Sequence, residues 1–216
     1  MPRLLVFTGP NHNFDQCAPI VAEALAREPD LDVTLTPEKA ILASPDLAEY
    51  DAVVLGTGFT RRGRQPDGSM KTVSELTDEQ ATGLFSFVRG GKGIVGVHGT
   101  GWWIGGEAVT LLGGHANWHP AGLEFSVHVE DRAHPIVSGI DDFSVEDEIY
   151  MSAWDPEIHV LASARWAERS HPVAWTHSYG RGRVFFTALG HGPSTFGKPS
   201  IQKLLANAAR WVSGAG

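Results

Sequence analysis

Three histidines in this chain each follow a short apolar run. His12 comes after Leu4–Thr8, His98 after Ile94–Val97, and His191 after Arg183–Leu189. An imidazole near neutrality can give a proton, take one, or ligate a metal. If the runs are parallel strands, their carboxyl ends gather on one edge, where open α/β sheets bind ligands. The set therefore points to a shared site, although each histidine singly also reads as a hydrogen-bonded turn residue. His115 and His119 stand four residues apart, the spacing that pairs zinc ligands on a helix, but Gly113-Gly114 before them and Pro120 after them oppose a regular helix. Glu146, Glu148 and Tyr150 lie in an acidic run from Asp141 to Tyr150. Glu148 could serve as metal ligand or base, or be a solvated acid. Trp102, Trp103, Trp118 and Trp154 offer flat faces that suit the C–H face of a sugar ring, and equally suit core packing.

His98 has the most distinctive surroundings. Strand, sharp turn and helix run through Gly91–Pro120, with His98-Gly99-Thr100-Gly101 at the turn. In hydrolases that elbow carries a nucleophile. An imidazole there suggests a base or a metal ligand instead. His12, His98 and His191 are expected to share one site, with His98 and His191 as acid–base groups. His12, Trp102 and Trp103 would contact substrate. If a divalent metal such as zinc or manganese binds, His98, His119 and His191 are the expected ligands, leaving one position open. Cys17 sits at helical spacing beside Ile20 and Val21 with no base nearby, so it is expected to be inert.

The elements that must position these groups alternate. Leu4–Thr8, Asp32–Thr36 and Ala52–Leu55 read as strands, and Asp15–Arg27 as a helix. Ala40–Tyr50 reads as a loop with room for a helical turn, and Arg61–Val73 as an irregular surface loop. Thr77–Gly90 is a helix capped by Thr77. Ile94–Val97 has no alternation, which suits a central strand covered on both faces. Glu107–Leu112 is a helix closed by Gly113-Gly114. Leu123–Val129, Ile158–Ala162, Val173–Thr176 and Arg183–Leu189 are strands, with a tight turn at Tyr179-Gly180-Arg181-Gly182. Ile201–Val212 closes the chain as a helix. The pattern predicts an α/β fold, parallel early and with antiparallel strands added late.

The 216 residues fit one domain over 1–216. A net charge of −8 leaves no basic stripe for nucleic acid. One cysteine excludes an intramolecular disulfide, and a reducing cytoplasm is the simplest setting. No apolar run is long enough to span a membrane, and the N-terminal one is too short for a signal peptide. There is no phosphate-binding P-loop, and Gly56-Thr57-Gly58 is an incomplete dinucleotide fingerprint, so no nucleotide is expected.

The segments K-G-I-V-G-V-H (Lys92–His98), G-G-H-A-N-W-H-P (Gly113–Pro120), H-P-I-V-S-G-I (His134–Ile140) and D-E-I-Y (Asp147–Tyr150) occur in that order. H-P-V-A-W (His171–Trp175) and Y-G-R-G-R-V-F-F-T-A-L-G-H (Tyr179–His191) follow. This succession resembles the ThuA-like family, named for trehalose utilisation. The resemblance implies a flavodoxin-like, three-layer α/β/α fold related to class I glutamine amidotransferases, with a mostly parallel central sheet. His98 replaces the elbow cysteine of those enzymes, so amidotransfer is not expected. The family pattern maps onto His119, Glu148, Tyr150 and His191, which implies that His98, His119, Glu148 and His191 converge on one pocket, with His98, Glu148 and His191 as acid–base groups and Tyr150 contacting substrate; His115 falls outside it. The implied setting is sugar or keto-disaccharide metabolism, with a small sugar derivative as partner, no nucleic acid or membrane partner, and a homodimer as the candidate assembly. An enzyme acting beside a carbonyl is one expectation. A non-catalytic carbohydrate-binding or assembly module of the same fold is the other.

Overall fold

The computed structural model describes residues 1–103 and 105–215. In chain order its strands and helices are β1 (Arg3–Phe7), α1 (Phe14–Ala26), β2 (Asp32–Thr36), β3 (Ala52–Leu55), β4 (Thr60–Arg64), β5 (Met70–Ser74), α2 (Asp78–Arg89) and β6 (Gly93–Val97). They continue as α3 (Gly106–Leu112), β7 (Gly114–Trp118), β8 (Leu123–Val129), β9 (Phe143–Asp147), β10 (Met151–Trp154), β11 (His159–Trp166), β12 (Arg169–Tyr179), β13 (Gly182–Thr187), α4 (Pro193–Phe196) and α5 (Pro199–Val212). Nine strands form one sheet in the order β2-β1-β3-β6-β13-β12-β11-β8-β9. From β2 to β13 neighbours are parallel; from β13 to β9 they are antiparallel. The fold is the expected mixed α/β class. β6 is fully buried and parallel to both β3 and β13, as its unbroken apolar run requires.

The period-two alternation of β1 divides the core between the two faces of the sheet. Leu4 and Val6 face α1 and α5, whose Val21, Leu25, Leu204 and Leu205 complete one cluster. Leu5 and Phe7 face α2 and α3, whose Leu84, Val88 and Leu111 complete the other. Cys17 is wholly buried in α1, and burial raises its thiol to about 11, so it is protonated and unreactive at neutral pH.

The start of α2 is fixed by a reciprocal pair. The Thr77 hydroxyl accepts from the Gln80 backbone N–H at 3.2 Å, and the Gln80 side chain accepts from the Thr77 N–H at 3.0 Å. Thr77→Ala should cost about 1 kcal/mol. Thermal unfolding should then shift down by about 2–4 °C, and an unchanged midpoint would show that the cap contributes nothing.

Arg61–Val73 and the lengths of β11 and β12 differ from expectation, and two stretches to which no element was assigned contain strands. Arg61–Val73 is not an irregular loop but the body of the β4–β5 hairpin, closed by Gln65-Pro66-Asp67-Gly68-Ser69. The Ser69 N–H bonds the Asp67 carboxylate at 2.9 Å, and Gly68 takes the positive φ (+83°) that such a turn needs. His115–Trp118 belongs to β7, which pairs with β10. Along a strand, His115 and His119 are about 13 Å apart, so they cannot chelate together. The acidic run contains β9, where Val145 and Asp147 point inward and Glu146 outward. β11 and β12 extend well beyond the predicted strands, because Ala167 and Glu168 turn the chain at φ +47° and +63°. A hairpin turn of that kind usually announces itself through Asn or Gly.

Among the described residues no helix is long and apolar enough to cross a membrane.

Candidate functional site

The carboxyl ends of β1, β3, β6 and β13 share one edge of the sheet, and each turns there under constraint. Six described non-glycine residues have positive φ, and four of them are on this edge: His12 (+54°), Asn13 (+55°), Phe59 (+49°) and His98 (+39°). Such conformations cost energy and concentrate where function requires them. The elbow after β6 is held from beneath by Thr100, a buried hydroxyl that donates to the Leu55 carbonyl at 2.6 Å. Gly99 has to be glycine, since a Cβ would lie 2.7 Å from the Gly56 carbonyl oxygen and from the His12 ring.

His98 is 1 % exposed. Its Nδ1 is 2.8 Å from the Ala188 carbonyl, which can only accept, so Nδ1 carries the hydrogen and Nε2 of the neutral ring presents a lone pair. Around that Nε2 stand the Tyr150 hydroxyl at 2.7 Å, His191 Nδ1 at 3.3 Å and Glu148 Oε2 at 3.4 Å. Glu148 Oε1 reaches His191 Nδ1 at 3.2 Å, and Glu148 Oε2 lies 3.5 Å from His119 Nε2. Burial raises the Glu148 carboxyl pKa, but the hydrogen bond and charge that His98 offers when protonated, with the charges of His191 and His119, outweigh it and hold it below the usual range. Burial pushes the Tyr150 phenol well above its ordinary value, so it stays protonated and donates to His98. His12 packs edge-on against the His98 ring at 5.8 Å; burial and the neighbouring His98 lower it to about 4, leaving it neutral at pH 7.

His98, His119, Glu148 and His191 thus meet at one place, with His12, Tyr150 and Trp102 beside them. Trp102 lies edge-on to the rings of His119 and Tyr150, at 5.9 and 5.6 Å. Trp103 is a correction. It is 5 % exposed and packs in the opposite core against Phe85 and Phe59, so it has no face to offer a substrate. The reason is local: the turn after His98 points consecutive residues to opposite sides of the chain. Trp118 is half exposed and packs at a tilt against Trp166 instead. Glu146 faces solvent, and His115 bonds its neighbour's carbonyl on β7.

His98, Glu148 and His191 form a group that could hold a metal ion, their donor atoms all within 4.8 Å of one another. The two imidazole nitrogens are 3.3 Å apart, the edge of a tetrahedron with ligands at about 2.0–2.1 Å, and each faces a different oxygen of Glu148. Glu148 replaces His119 in this compact set. The Ala188 carbonyl supplies the outer hydrogen bond that orients a ligating imidazole. Metal and the Tyr150 hydroxyl would compete for the same Nε2 lone pair.

Sequence reasoning missed Asp147, which is 3 % exposed. Its carboxylate accepts from the N–H groups of Glu148 (2.7 Å), Gly190 (2.8 Å) and His191 (3.2 Å) and from the Thr195 hydroxyl (2.8 Å). It fastens the Glu148 loop to the His191 loop. Alternation through Phe143–Asp147 was the available signal, since it turns Asp147 to the buried side.

The family model described as trehalose utilisation, ThuA, matches residues 3–212. The chain belongs to the ThuA family. Among solved structures, this ThuA-family chain is similar to a ThuA-like protein from Parabacteroides merdae, with 20 % identity, 99 % and 90 % of the two chains covered, and a TM-score of 0.77. A cytoplasmic protein from Salmonella typhimurium LT2 matches at 14 % identity over 98 % of this chain and 99 % of that one, TM-score 0.67. A β-galactosidase from Bacillus circulans matches at 13 % identity over 99 % of this chain but 31 % of its own, TM-score 0.68. At these identities the likeness is one of fold. No functionally curated protein matches the ThuA-family sequence.

Proposed function

We propose that this ThuA-family protein is a cytoplasmic enzyme that moves a proton at a carbon beside the carbonyl of a keto-sugar. The observation that carries the reading is the convergence of buried His98, half-buried Glu148 and rim-exposed His191, reinforced by strained backbone on the same edge. A carbonyl makes the adjacent C–H acidic, and an ionised, partly buried carboxylate is suited to remove that proton. Glu148 is the base. Tyr150 and His98 form a donor–acceptor pair with fixed polarity, running from Tyr150 O–H to Nε2 and from Nδ1–H to the Ala188 carbonyl. His191 stands at the solvent rim, where it can return the proton. A divalent metal on His98, Glu148 and His191, zinc or manganese, would supply Lewis-acid polarisation of the carbonyl. The cytoplasmic setting is supported by the single buried thiol and by the described location of the Salmonella neighbour.

The test is exchange in heavy water. Keto-disaccharides incubated with the protein should gain deuterium beside the carbonyl, and Glu148→Gln should stop this. Absence of exchange, elimination and isomerisation across a panel of keto-sugars would reject the enzyme. The same fold within a β-galactosidase chain favours a second reading, a non-catalytic sugar-binding or assembly module. That module would bind sugar without exchange and tolerate Glu148→Gln.

A further inference from the structure

Beside the histidine cluster a cleft of about 370 Å³ opens under the β4–β5 hairpin. Asn11, His12 and Trp102 line it on the sheet side, and Arg61, Arg62 and Thr72 on the hairpin side. It adjoins the reacting groups directly: His12 touches the His98 ring, and Trp102 touches His119 and Tyr150. Five other arginines of this acidic chain, Arg3, Arg27, Arg89, Arg132 and Arg210, pair with carboxylates. Among the described residues Arg61 and Arg62 belong with Arg64, Arg165, Arg169, Arg181 and Arg183 to the arginines that pair with no carboxylate, and no carboxylate lines the cleft. His12, on the cleft wall, has its Nδ1 buried with no hydrogen-bond partner among the described residues. The hairpin is anchored over the site by the Asn11 amide, which donates to the Thr60 carbonyl at 2.8 Å, and by the Glu75 N–H on the Phe59 carbonyl at 2.7 Å.

We infer that this cleft is an anion subsite, and that the sugar derivative bound here carries a carboxylate or phosphate group held by Arg61 and Arg62. The inference rests on the keto-sugar reading above and narrows its substrate to acidic sugars. Guanidinium groups recognise both anions through paired N–H donors. The cluster side contributes the negative charge of Glu148, so the cleft is the place next to the reacting groups that welcomes an anion. Anchored at this end, a sugar would present its ring to Trp102 and its carbonyl carbon toward Glu148.

Binding of glucose, glucuronate and glucose 6-phosphate, measured calorimetrically on the whole protein at low and high salt, tests this. At least one acidic probe should bind about tenfold or more tightly than glucose. That advantage should vanish in the Arg61→Gln/Arg62→Gln double variant and shrink at high salt. Both side chains are exposed, so the variant should retain its melting temperature. A preference for glucuronate alone identifies a carboxylate, and for glucose 6-phosphate alone a phosphate ester; either result supports the subsite. Equal affinity for glucose and both acidic probes would overturn it while leaving the sugar reading intact. No binding of any of the three would overturn the subsite, and the keto-sugar reading would still stand or fall on the exchange test.

Discussion

His98→Asn is expected to lower turnover on the keto-sugar by about 10²–10⁴-fold, the range that one general acid–base group supplies, while leaving the fold intact. Asparagine is the suitable replacement because residue 98 has φ +39°, and asparagine tolerates the left-handed region better than alanine does. Its shorter amide can still reach toward the Ala188 carbonyl that the imidazole Nδ1–H now contacts at 2.8 Å. It does not reproduce the ring nitrogen that meets Tyr150 at 2.7 Å, Glu148 at 3.4 Å and His191 at 3.3 Å. If the group binds zinc or manganese, the same variant should weaken that binding by at least about 10–100-fold, since even an outer-sphere partner is worth that much. Turnover assays, calorimetric metal titration and a melting curve decide it together. Wild-type turnover in a folded His98→Asn protein would remove His98 from the chemistry.

Asp147→Asn should destabilise the protein by about 3–5 kcal/mol, because each buried donor left without an acceptor costs about 1–3 kcal/mol. The substitution is nearly isosteric, so the effect is electronic. One carboxylate oxygen accepts from the Glu148 and His191 N–H groups, the other from the Gly190 N–H and the Thr195 hydroxyl. An amide has only one acceptor oxygen. In either orientation its NH₂ confronts a backbone N–H. The melting midpoint should fall by about 10 °C. Asp147 acts through others and is a positioning residue. In the folded fraction of the variant, turnover should fall while the pH profile keeps its shape, because Glu148 and His191 are displaced rather than removed. A stability within about 0.5 kcal/mol of wild type would show that this carboxylate does not hold the two loops.

Much was legible in the sequence for physical reasons that act locally. The unbroken apolar run at Ile94–Val97 could only be a strand covered on both faces. The Gly99 and Gly101 that follow it permit the tight elbow, and Thr77 with Gln80 three residues on marks the start of α2. Histidines closing parallel strands must share an edge, so His12, His98 and His191 could be grouped without coordinates. The β4–β5 hairpin was legible in principle, since Pro66-Asp67-Gly68 is turn chemistry between two β-capable runs. The Ala167-Glu168 turn was not, because neither residue favours positive φ and only the pairing of β11 with β12 imposes it.

What the sequence determined by itself, then, is the parallel half of the sheet, its elbow, and which histidines stand on its edge. The tertiary structure alone decided how the acidic segment joins them. β9 is five strands from β6 in the sheet order, about 24 Å along a flat sheet at ordinary strand spacing. Yet Glu148, the next residue after β9, comes within 3.4 Å of His98. The antiparallel half must therefore curl back over the strand ends, and no local propensity encodes a curl. It also chose Asp147 rather than Glu146 for the interior and sent Trp102 to the site and Trp103 to the opposite core. Those choices depend on which side of the chain faces a packed neighbour, a relation between segments distant in sequence.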